Sequence, residues 1–78
     1  MSVFALHVEC ELKKARLKHA PINSLHEGYA VILEEVDELW EHVRARKEKR
    51  NKTDIYKELV QIAAMAQRTA EDVVEDRG

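Results

Sequence analysis

From Leu25 to Val43 apolar side chains return every three or four residues: Leu25, Tyr29, Ile32, Leu33, Val36, Leu39, Trp40 and Val43. That spacing is the period of an α-helix with one face turned away from water. A second run, Leu59 to Ala66, is apolar at every position but Gln61, which predicts a helix covered on more than one side. Ile55, Leu59, Ile62, Ala66, Thr69, Ala70 and Val73 would form its main face. Phe4, Leu6, Val8, Leu12, Ala15 and Leu17 supply a third helix, which ends in the bases Lys13, Lys14, Arg16 and Lys18, favourable at a helix C-terminus. Two glycines and one proline are all that punctuate the chain, so the fold class is all-α. Pro21 disfavours helix at Ala20, and Ser24 with Glu27 three residues on forms a capping box that starts the next helix. The expected helices cover about residues 3–18, 25–50 and 54–75, the last two long and antiparallel. The turn between them falls at Asn51 to Thr53, with Thr53 or Asp54 as the next N-cap and a fraying acidic tail after Ala70.

At 78 residues the chain is one domain, and a domain this short buries only about 60–65% of its unfolded surface. Cys10 is the only cysteine, so no intrachain disulfide can add stability, and a reducing, cytoplasmic setting is expected. Oligomerisation is the remaining route, and pairing the last two helices with their copies would complete a four-helix-type bundle. The first residues carry acids and no basic leader, and no stretch approaches the roughly 20 apolar residues of a membrane span. The net charge of -2 argues against a general polyanion binder. Six bases and one acid crowd residues 44–52, but no aromatic residue interleaves with them. A solvated helix end fits them better than nucleic-acid binding.

Glu35 and Glu38 lie on one flank of the Leu25–Val43 stripe, while Glu34 lies further towards solvent. Glu58 and Gln61 share a flank of the last helix, with Asp54 one turn earlier as a compensating ligand. Facing flanks would gather the oxygen ligands that Mg²⁺ requires. Glutamates on a helix are most often a solvated face, and Glu34, Asp37 and Glu41 suit that reading; Glu35, Glu38 and Glu58 border apolar stripes and suit it less. Gln61 admits a second reading, an amide paired with its own copy across a dimer. Lys57 and His26 are candidates to contact substrate. Trp40 is a candidate base-stacking residue, though its place on the stripe equally suits core or interface. His7 and Cys10 share a helix face, but two ligands without partners make a poor zinc site.

The segment H-E-G-Y-A-V-I-L-E-E-V-D-E-L-W from His26 to Trp40, followed by E-L-V-Q-I-A-A-M-A from Glu58 to Ala66, resembles the MazG-like all-α nucleotide pyrophosphohydrolases over roughly residues 22–74. The first motif of that superfamily, E-E-x-x-E, is intact as Glu34, Glu35 and Glu38. The second, E-x-x-D, appears as Glu58 with Gln61 in the place of Asp. The resemblance implies cleavage of a nucleoside or deoxynucleoside triphosphate, including non-standard ones, into monophosphate and pyrophosphate. It implies Mg²⁺, with Mn²⁺ as the alternative, and a homodimer or homotetramer. Glu35, Glu38 and Glu58 would be the core metal ligands, with Gln61 at a further ligand position, and Glu34 a ligand or water-positioning base. Gln61 removes one negative charge, which lowers the expected metal affinity. It keeps open an alternative: a non-catalytic helical module that binds nucleotide, metal or a protein partner.

Overall fold

The computed structural model describes residues 2–75. They form three α-helices, α1 (Val3–Lys18), α2 (Leu25–Val43) and α3 (Lys52–Thr69), and no strand among the described residues. A 3₁₀ turn at Lys47–Lys49 sits between α2 and α3, and a π-helical turn, Ala70–Val74, follows α3. No helix among the described residues is long and apolar enough to cross a membrane.

Each helix starts on a side-chain cap. Ser2 accepts the Ala5 N–H at 3.0 Å. Ser24 accepts the Glu27 N–H at 3.0 Å, and Glu27 reaches back to the Asn23 N–H at 2.7 Å, one residue before the usual capping-box partner. Asn51, rather than Thr53 or Asp54, caps α3: its Oδ1 accepts from the N–H groups of Thr53 and Asp54 at 2.9 and 3.1 Å. Asn is among the strongest N-caps, so α3 begins two residues before the expected start.

α2 stops at Val43 instead of running to about residue 50. Beyond it the chain is rich in cations and poor in apolar residues, so continued helix would bury little while setting Arg44 beside Lys47, Arg46 beside Lys49 and Lys47 beside Arg50 at i,i+3. Arg50 turns back and donates to the Val43 carbonyl at 2.6 Å, satisfying one of the open C-terminal acceptors.

α3 is the helix that touches both others. It runs antiparallel to α2, since Gly28 meets Thr69 at one end and Glu35 approaches Glu58 towards the other. It runs parallel to α1, since His7 meets Tyr56 and Arg16 meets Asp72. The core joins Val8 and Ala15 of α1 to Val60, Ala64 and Met65 of α3, with Phe4, Val31, Ile32 and Ala63 packed against it. Ala64 is fully buried, and as a methyl side chain it lets the flanking helices come close. The face of α3 that buries is therefore Val60, Ala64, Met65 and Arg68. Leu59 and Ala66, expected on the main buried face, are exposed. Phe4 and Tyr56 stack edge to face with centroids 5.7 Å apart, and His7 Nδ1 lies 2.8 Å from Tyr56 Oη.

Gly28 explains a glycine in the first turns of α2, where Gly is worse than Ala by about 1 kcal/mol. A Cβ there would stand 2.5 Å from Thr69 Cγ2 and 2.7 Å from Thr69 Oγ1. The missing side chain sets how closely α2 lies on α3.

The residues after α3 do not fray up to Glu75. Arg16 pairs with Glu71 at 2.7 Å and Asp72 at 2.9 Å. The other oxygen of Asp72 accepts the Ile22 N–H at 2.9 Å, and Arg68 donates to the Ala20 carbonyl at 3.0 Å. Together they hold the Pro21 loop and bury Ile22. Residues 76–78 of the expected tail lie outside the described residues.

One protomer leaves most of the α2 stripe uncovered. Tyr29 is 67% exposed and Trp40 56%, and Leu25, Leu33, Val36 and Val43 are exposed as well. The protomer measures 47 × 28 × 20 Å and shows 5919 Å² of surface. A globular monomer of its 9.1 kDa would show about 4,900 Å².

Candidate metal centre

Glu35 and Glu38 stand one turn apart on the flank of α2 that faces α3, and Glu58 meets them from α3. One carboxylate oxygen from each lies within 4.8 Å of the other two, and no other such group of His, Cys, Asp or Glu occurs among the described residues. Close Gly28–Thr69 packing and the antiparallel register bring about this approach. It is electrostatically uphill. Burial pushes the Glu35 carboxyl up from its ordinary 4.5 to about 7, helped by contact with the Glu58 carboxyl and by the charges of Glu38, Glu58 and Glu34. The Glu58 carboxyl raises Glu38 as well, against a smaller lowering by His42. Glu58 Oε1 is buried and has no hydrogen-bond partner among the described residues.

This donor set fits a hard divalent cation. It consists of oxygens alone, carries formal negative charge that no lysine or arginine pairs with among the described residues, and includes a buried acceptor without a donor. An unpartnered buried oxygen costs on the order of 1–3 kcal/mol, so the fold keeps it at a price in stability.

Glu34 is exposed and does not join the three. It lines a cleft of about 430 Å³ alongside Glu35 and Gln61. Gln61 also borders the groove between α1 and α3. Asp54 sits in the first turn of α3, exposed and outside the cluster. Lys57 lines a separate groove of about 360 Å³ between α1 and α3, with His7, Cys10 and Tyr56. His7 is engaged by Tyr56 there, and His7 and Cys10 belong to no metal-competent group. His26 is exposed in the first turn of α2, nine residues and about 13 Å of helix before Glu35. Trp40 lies on the uncovered apolar face.

No family model, no curated protein and no solved structure matches this chain. What the site can do therefore follows from its own atoms.

Two features escaped the sequence reading. Arg68 is only 5% exposed and lines the Glu34–Glu35 cleft, and Lys14 and Lys18 of α1 line it as well. A basic run at a helix end has a sufficient local explanation in the helix dipole, which hides any second role. Arg68 stands ten residues beyond Glu58, where only the packing of α1 on α3 reveals what it meets.

Proposed function

We propose that this chain is a divalent-cation-dependent nucleoside triphosphate pyrophosphohydrolase that works as a homo-oligomer. The observation that carries the reading is the convergence of Glu35, Glu38 and Glu58 around a buried, unpartnered oxygen. Structural acids on helices are normally paired or solvated; Glu38 is exposed to solvent, but Glu35 and Glu58 are half-buried and converge on like charge. Their order along the chain agrees with the motif pair E-E-x-x-E and E-x-x-Q. Glu35, Glu38 and Glu58 would hold a Mg²⁺ or Mn²⁺ ion, which supplies neutralisation of phosphate charge and polarisation of phosphate oxygens. Glu34, exposed on the cleft wall beside Glu35, would be the residue that accepts a proton from water. Gln61 contributes a neutral carbonyl oxygen to the same cleft and can orient ligand without adding charge.

The uncovered α2 face supports self-association. An apolar stripe that includes Leu33, Val36 and Trp40 is long enough for a second copy, and the surface excess of roughly 1,000 Å² is of interface size. Sedimentation of the wild type against Val36→Glu tests this: a dimer or larger that falls to monomer supports it, and a monomeric wild type defeats it.

The deciding experiment measures pyrophosphate and monophosphate release from ordinary and modified NTPs and dNTPs, with Mg²⁺, Mn²⁺ or EDTA. Metal-dependent release that Glu38→Gln abolishes is the expected result. Gln61, a neutral amide where the resembled motif carries Asp, favours a second reading, a non-catalytic module on the same scaffold. Metal binding without turnover of any nucleotide would select it.

A further inference from the structure

The cleft that begins at Glu34 and Glu35 has two further acids in its lining, Glu11 and Glu27, and gathers three strong bases beside them. Past Gln61 and Met65 it reaches Arg68 on α3, and its α1 wall carries Lys14 and Lys18. Its volume, about 430 Å³, falls in the range of small-ligand sites, roughly 300–1,000 Å³.

Arg68 is the unusual member. The residue is only 5% exposed, and Asp72 is near enough to feel its charge, yet no carboxylate pairs with it directly among the described residues. Nη2 donates to the Ala20 carbonyl at 3.0 Å, and Nη1 has only the weak acceptor Met65 Sδ at 3.5 Å. Nε is buried with no acceptor at all. Buried cations are ordinarily paired, and a guanidinium presents its donors as a fork suited to oxyanions. The Met65 contact also shows that the side chain leans back along α3, towards Glu58, as helical side chains do. Lys14 and Lys18 are one turn apart on α1, a like-charge i,i+4 pair that an anion between them would relieve.

We propose that Arg68, Lys14 and Lys18 form an oxyanion site that holds the phosphate chain of the ligand, so that a polyphosphate lies along α3 from the glutamate cluster to Arg68. The identity of that ligand rests on the pyrophosphohydrolase reading of the glutamates; the presence of an oxyanion site does not. Ten residues of helix separate Glu58 from Arg68, about 15 Å between Cα positions, and the Arg68 side chain shortens that span by leaning back towards Glu58. The glutamate cluster and the bases thus divide the work. One takes the cation that accompanies a polyphosphate, and the other takes phosphate oxygens directly. Arg68 is a substrate-positioning residue here, not a catalytic one.

The test uses inorganic tripolyphosphate as probe, titrated into the full chain in EDTA and followed by calorimetry and by amide NMR shifts. Saturable binding is expected, with shifts at residues 14–20 and 65–69. The double variant Lys14→Ala/Lys18→Ala and the single variant Arg68→Met should each weaken binding at least about tenfold. Lys47→Ala/Lys49→Ala, which removes two bases from the distant 3₁₀ turn, should not. Arg68 also ties down Ala20, so Arg68→Met has a second route to failure by misfolding; the exposed lysines avoid it. No saturable binding, equal loss in the Lys47/Lys49 control, or wild-type binding by the Lys14/Lys18 variant would each overturn the site. The two proposals fail separately. Tripolyphosphate binding in a protein that turns over no nucleotide leaves the oxyanion site standing and removes the enzyme. Nucleotide turnover with unchanged KM in the Lys14/Lys18 variant does the reverse.

Discussion

Two groups of charged side chains hold α3 to its neighbours, and they follow opposite electrostatics. At the C-terminal end, Arg16 lies between Glu71 and Asp72, and Asp72 also accepts the Ile22 N–H. Desolvation alone would raise Asp72, but the Ile22 bond and Arg16 outweigh it and hold the carboxyl below its ordinary 3.8. Arg16 is raised in turn, mainly by its hydrogen bond to Glu71. Towards the other end, Glu35, Glu38 and Glu58 converge with only His42 nearby to offset them, and Glu35 and Glu38 are both raised. The first group is a latch whose charges answer one another. The second stores repulsion that the rest of the fold must offset. Stored repulsion at a cleft is what a binding site for a cation looks like before the cation arrives.

The largest expected effect separates the two groups by function. On the proposed function, Glu35→Gln, Glu38→Gln or Glu58→Gln should lower metal-dependent turnover roughly 100-fold or more, because each would remove a proposed ligand. In EDTA the same variants should melt higher than the wild type, since each relieves repulsion. Lower melting in EDTA would show that the acids stabilise the fold and would erase the contrast. Next in size is the latch. Asp72→Ala strands the Ile22 N–H and leaves Arg16 with Glu71 alone, and should cost about 2 kcal/mol in urea unfolding. Turnover measured well below the melting point should keep its metal dependence. A loss below about 0.5 kcal/mol would mean that the latch is ornamental.

Gly28→Ala probes the spacing that creates the cluster. Better helix propensity favours the alanine by about 1 kcal/mol, but overpacking against Thr69 costs typically 1–3 kcal/mol. A net loss of about 1 kcal/mol is expected by thermal denaturation, and Thr69→Ala in the same chain should restore it. A stabilised single variant would mean that α2 yields without cost. The smallest effect is in pH. Glu35 binds its proton more tightly folded than unfolded, so its contribution favours the fold at low pH and is lost as pH rises from 4.5 to about 7. Asp72 behaves in the opposite sense: its contribution is present above 3.8 and is lost as pH falls through its lowered folded value. Melting in EDTA from pH 5 to 8 should therefore decline more steeply in the wild type than in Glu35→Gln, and Mg²⁺ should flatten the wild-type curve. Parallel curves for the two proteins would contradict the raised Glu35.

Much of the fold is legible in the chain because helices are local. The Leu25–Val43 periodicity, the Ser24/Glu27 cap and the Pro21 break each act within a turn or two, and the structure has α1 and the start of α2 where those signals stand. Helix ends were less legible. Asn51 outcompetes two other good caps nearby, and α2 loses to charge repulsion only once its apolar residues run out. The flank carrying Glu35 and Glu38, and that carrying Glu58, also follow from helical spacing, which is why the candidate ligands could be named in advance. Arg68, Lys14 and Lys18 gave no such signal, since each has an ordinary local explanation.

The amino-acid order by itself determined that three helices form, roughly where they start, and which faces are apolar. Tertiary packing decided what those faces meet. It chose Val60, Ala64 and Met65 over Leu59 and Ala66 as the buried side of α3, because small Ala64 admits α1 and α2 together. It left the stripe of α2 open, brought like charges to within 4.8 Å, and buried Arg68 with no carboxylate paired directly to it. The physical reason is range. Propensity, capping and periodicity are interactions between residues at most a few positions apart, whereas proximity of Glu35 to Glu58, or of Lys14 to Arg68, depends on how whole helices settle against one another.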